Sequence, residues 1–153
     1  MHDEQQRAHI RRTILDRFQQ GEDRRQEALQ EFLALTMPSA SSEHCAKLAT
    51  LIPAVTPELY DKWISLFLDR LQETVAPEQV QDMCDGTESS NAVIMLVFLM
   101  FMESERMEKQ IAEDLAVYGR QHSGDPDLGL TVAEYLRAKT ASLGQQLKKT
   151  HIQ

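Results

Sequence analysis

Eleven consecutive residues, Ala92 to Met102, carry no polar side chain, and charge returns at Glu103. A helix of that length covers about 16 Å, roughly half the hydrocarbon thickness of a bilayer. The run is too short to cross a membrane, yet it is apolar on every side, which places it inside a protein or an interface. Burial of its ten large side chains contributes on the order of 20 kcal/mol gross, at ~2 kcal/mol each. That exceeds the roughly 5–15 kcal/mol net stability of a whole domain. A concealed central helix is the expected outcome.

Elsewhere apolar residues recur at helical spacing, and strand-type alternation is absent. Ile10, Ile14 and Phe18 make a thin stripe along a helix predicted over Asp3–Gln20, which Gly21 breaks. A second helix, Glu22 to about Met37, carries Ala28, Leu29, Phe32, Leu33 and Leu35, and Pro38 stops it. Ser39, Ser41 and Ser42 offer N-caps for a short helix through Cys45, Leu48, Leu51 and Ile52, ended by Pro53. Thr56-Pro57-Glu58 supplies an N-cap, a proline at the first helical position and an acid in the first turn. The helix that follows, to about Val75, is the richest amphipathic element, with Leu59, Trp63, Leu66, Phe67 and Leu71 on one side. Pro77-Glu78 opens a short helix closed by Asp85-Gly86. Thr87, Ser89 and Ser90 then offer caps for the helix that holds the apolar run. That helix is expected to continue past Glu103 through Met107, Ile111, Leu115 and Tyr118 until Gly119. Thr131-Val132-Ala133-Glu134 reads as a capping box for a last helix with Val132, Leu136, Leu143 and Leu147 inward.

The pattern predicts an all-α fold: a compact multi-helix bundle of about six or seven helices around a buried central hydrophobic helix, with Thr56–Val75 as its main packing partner. Two parts are expected within what amounts to one domain. Residues 1–37 form a polar N-terminal helical hairpin, and residues 41–149 form the bundle core.

Composition changes this picture only in its electrostatics. The chain has 153 residues and a formal net charge of −8, which favours solubility and repels phosphate backbones. The charge is uneven: Met1–Glu31 holds six arginines against seven acids, Glu43–Glu134 holds seventeen acids against six bases, and Arg137–Lys149 is purely basic. Cys45 and Cys84 are the only cysteines, too few for a disulfide framework. The N-terminal stretch MHDEQQRAHIRR is charged and lacks an apolar h-region, so no secretory signal is expected. The expected location is cytoplasmic, with no membrane association.

No constellation points to catalysis. A Gly-x-Ser-x-Gly elbow is absent, and Cys45 and His44 are neighbours that diverge on a helix. Glu103, Glu105, Glu108 and His122 are the groups an unrecognised helical active site would use. The five histidines are scattered singly, and no Cys-x-x-Cys or His-Glu-x-x-His occurs, so neither metal nor cofactor is expected. Gly119 and Gly124 have P-loop spacing, but Asp125-Pro126 stands where Lys-Ser/Thr is required.

Leu128-Gly129-Leu130-Thr131-Val132-Ala133-Glu134-Tyr135-Leu136-Arg137 resembles the turn and second helix of small ribbon-helix-helix or helix-turn-helix repressors, over those ten residues alone. That resemblance implies a DNA-binding regulator in which Arg7, Arg11, Arg12 and Arg137 would meet phosphates. It is the alternative reading, because the chain is acidic and nucleic acid is a disfavoured partner. The primary reading is a non-enzymatic interaction module, an adaptor, chaperone or inhibitor. It would bind another protein, one carrying a basic or amphipathic segment, or a second copy of itself. Methionine fills irregular gaps and suits adaptable binding surfaces. The expected partner-binding residues are therefore Met95, Met100, Met102 and Met107, with Glu103, Asp69 and Glu73 supplying acid.

Overall fold

A computed structural model describes residues 2–19, 24–51, 55–123 and 126–151. These form eight helices and no strand: α1 (His2–Gln19), α2 (Arg25–Thr36), α3 (Ser42–Leu51), α4 (Pro57–Thr74), α5 (Pro77–Met83), α6 (Glu88–Met102), α7 (Glu105–Ser123) and α8 (Pro126–His151). The expected break at Gly21 and the stop at Pro53 lie outside the described residues.

The caps act largely where the sequence places them. Thr56 Oγ1 accepts the Leu59 N–H at 3.4 Å, with Pro57 opening α4. Ser41 Oγ accepts the His44 N–H at 3.1 Å and starts α3. Thr87 Oγ1 accepts the Ser90 N–H at 3.1 Å and starts α6. Gly86, at φ +83°, takes the left-handed turn between α5 and α6 that a side chain would resist.

α6 is the central element, packed on by α8, α1, α5, α4 and α7. Ala92, Ile94, Met95, Leu96, Phe98, Leu99 and Met102 are buried along it, while Val93 and Met100 face outward. The sequence pattern makes α4 its principal neighbour, and the structure corrects this. The α8 and α1 backbones run alongside α6 more extensively, and α4 reaches it through large rings instead. Phe67 meets Phe98 and Phe101 with ring centroids 5.3 and 5.5 Å apart, and Phe18 of α1 meets Phe98 edge-on at 5.8 Å.

Ile10, Ile14 and Phe18 are fully buried, so α1 is a full member of this core. It runs against α4 through Arg7, which binds Asp69 at 3.1 Å and Gln72 at 2.9 Å, and Arg11, which binds Asp61 at 2.7 Å and Ser65 at 3.0 Å. α2 packs chiefly on α3, across the expected boundary between hairpin and core. Leu35, expected on the apolar side of α2, is 82% exposed.

Two further expectations need correction. The helix holding the apolar run does not continue through Glu103; it ends at Met102, and α7 starts afresh at Glu105. A single helix from Glu88 to Ser123 would be about 54 Å long. A domain of this size has a radius of gyration near 15 Å and a diameter of roughly 40 Å. The chain must therefore fold back. The last helix starts at Pro126, not Thr131, so the supposed turn at Leu128-Gly129-Leu130 is helical. Gly129 is buried there against α7, where a Cβ would overlap the Leu115 carbonyl. Its small size serves the close α7–α8 crossing. The break between α6 and α7 opens a cleft on either side of it.

Candidate functional site

Ser104 makes the elbow between α6 and α7. Its hydroxyl donates to the Phe101 carbonyl at 2.7 Å and accepts the Met107 N–H at 3.3 Å. One side chain thus closes α6 and caps α7. The signal was available in the sequence. Inward positions Met95, Leu99 and Met102 run at helical spacing, but the next turn would place Arg106 inward, and the apolar phase resumes one residue late at Met107.

Two clefts flank the elbow. The first lies between the end of α6, α7 and α8 and has a volume of about 310 Å³. Met102, Ile111 and Leu136 form its buried floor, and Ala112, Ala133 and Ala141 leave the space open by being small. Its mouth carries Glu103, Glu108 and Arg137, with Arg137 and Glu108 paired at 2.7 Å. Among the described residues, Glu103 forms no ion pair and is exposed. Thr140 is buried at the edge of this cleft and donates to the Arg137 carbonyl at 2.9 Å, so it brings no unpaired polar group to the floor.

The second cleft, about 450 Å³, opens between the elbow and α4. Leu66, Phe101 and Met107 form its apolar part, and Asp69, Arg70, Glu73 and Arg106 its polar walls. Asp69 is already engaged by Arg7, and Glu73 lies 3.8 Å from Arg70. Farther along α7, Asp114 ties this helix to α4. It accepts from Lys62 at 2.8 Å, from the Trp63 indole N–H at 2.9 Å and from Gln110 at 3.1 Å. Nothing in the spacing of Trp63 and Asp114, 51 residues apart, announces this pair.

The residues expected to bind a partner are divided by this geometry. Met102 and Glu103 meet at the first cleft, joined by Arg137 from the nucleic-acid alternative. Asp69, Glu73 and Met107 meet at the second. Met95 is buried elsewhere in the core, and Met100 is 68% exposed on the outer side of α6. The four methionines therefore do not form one face; three of them are core residues. Of the arginines, Arg7, Arg11 and Arg137 are held by carboxylates, and Arg12 is exposed.

Among the described residues no three His, Cys, Asp or Glu side chains converge as metal ligands, and no helix is long and apolar enough to cross a membrane. The side chain of His122 lies outside the described residues. Cys45 is buried and Cys84 half-buried, both as free thiols. Burial pushes the Cys84 thiol up, and the neighbouring Asp85 charge adds to this. No family model, curated protein or solved structure matches this chain.

Proposed function

We propose that this protein is a non-enzymatic cytoplasmic interaction module, an adaptor, chaperone or inhibitor that captures another protein at the first cleft. One observation carries the reading. An apolar hollow, floored by Met102, Ile111 and Leu136, opens beside an exposed carboxylate, Glu103, that has no ion-pair partner among the described residues, in a molecule of net charge −8. Concave apolar surface with a few polar groups at its edge is where binding energy concentrates. The carboxylates at the mouth fit capture better than catalysis, since Glu108 is spent on an exposed ion pair with Arg137. The DNA-binding alternative gains no support: Arg7, Arg11 and Arg137 face carboxylates, and the turn its resemblance needs is helical.

The test is capture from the source cytoplasm with the full chain, followed by mass spectrometry. A specific protein should be retained at moderate salt by the wild type and lost by Ala141→Trp, which fills the cleft from an exposed helix position. Equal recovery with both proteins, or no retained protein at all, refutes the proposal.

A further inference from the structure

The occupant of the first cleft can be specified further by its volume and its rim. A cavity of about 150 Å³ holds one benzene. The cleft, at about 310 Å³, therefore has room for two branched or aromatic side chains. Side chains three or four residues apart on a helix sit about 5–6 Å from one another on one face, so a single helix can deliver both. The floor of Met102, Ile111 and Leu136 is set between packed helices and flanked by alanines, and among the described residues it offers no unpaired buried side-chain donor or acceptor to an extended backbone. At the mouth, Glu103 has no ion-pair partner among the described residues, while the cation Arg137 is already paired with Glu108.

We infer that this cleft receives an amphipathic helix of a partner protein, two apolar side chains one turn apart entering it and a lysine or arginine beside them meeting Glu103. This rests on the reading of the cleft as a protein-capture surface and adds the partner's conformation and charge. The chain's overall negative charge would speed the encounter with such a helix.

The experiment uses labelled peptides of about 14 residues, near the length at which isolated helices become marginal. One contains only leucine and lysine and the other only leucine and glutamate, both with leucines at helical spacing. Fluorescence anisotropy on the full chain should show the lysine peptide binding at least about tenfold more tightly at low salt. Glu103→Lys, a change on an exposed residue, should narrow that preference by roughly two- to fivefold, the range of an exposed ion pair. Ala141→Trp should weaken the lysine peptide by about tenfold or more at every salt concentration, as expected of a blocked anchor site. Circular dichroism confirms that both variants fold.

Three results overturn the inference. These are peptide affinity unchanged by Ala141→Trp, equal binding of the two peptides, and a wild-type dimer that Ala141→Trp dissociates, since a second copy would then fill the cleft. If partner capture from cytoplasm survives while the peptides fail, the helix inference falls and the wider proposal stands. If both fail, both fall.

Discussion

Two glycines of α8 show how a single side chain's surroundings decide its effect. At Gly129 a Cβ would collide with the backbone of Leu115 on α7, and backbone cannot step aside as a flexible side chain can. Gly129→Ala should therefore destabilise the protein by about 2–3 kcal/mol, despite the better helix propensity of alanine. At Gly144 the nearest heavy atom to an added Cβ is Leu99 Cδ1, at 3.9 Å, an ordinary contact. Gly144→Ala should stabilise by about 0.5–1 kcal/mol. Urea unfolding of the two variants separates these signs.

Asp85 offers a pH-dependent test at the same scale. Its carboxylate accepts the Thr87 N–H at 2.8 Å and the Thr87 hydroxyl at 2.7 Å. The backbone bond chiefly, then the Thr87 and Ser90 hydroxyls, hold its pKa below the usual carboxylate range. A carboxyl depressed in the folded state adds stability above its unfolded pKa, and that stability is lost as pH falls through its folded value. The stability gap between wild type and Asp85→Asn should thus be full at neutral pH and close in acid, read as urea midpoints across the acid range.

At the scale of elements, the elbow and the α4–α7 clasp hold the clefts in place. Ser104→Ala removes the cap of α7 and the bond that closes α6, and should cost about 1 kcal/mol. The loss should concentrate in hydrogen-exchange protection of the first turn of α7, which borders both clefts. Asp114→Ala leaves the indole N–H of Trp63, itself fully buried, without its acceptor. A stranded buried donor costs about 1–3 kcal/mol. Trp63 is the only tryptophan, so its fluorescence reports this unfolding directly.

At the scale of the whole molecule, electrostatics set which partners can approach. Net charge is −8, and α1 directs two of its arginines inward to the carboxylates of α4. Duplex DNA should therefore not be retained in a gel-shift at low salt, where phosphate contacts would be strongest. Retention under those conditions would revive the regulator reading and count against the acidic cleft as the working surface.

Periodicity and capping chemistry made the helices legible, because both are local: Thr56 and Thr87 lie beside the N–H groups they accept, and Ile10, Ile14 and Phe18 mark their own face. The eleven-residue apolar run marked a largely covered spine, since water would not tolerate it whole, although Val93 and Met100 face outward. Tertiary structure decided the rest. Bundle size forced the bend at Ser104, close helix approach made Gly129 a packing residue instead of a turn, and Trp63 found Asp114 across 51 residues. The candidate site was legible only in fragments, as Met102, Glu103 and Arg137 taken separately. A cleft is a property of three helices meeting, and no spacing along one chain segment encodes which surfaces the others will cover.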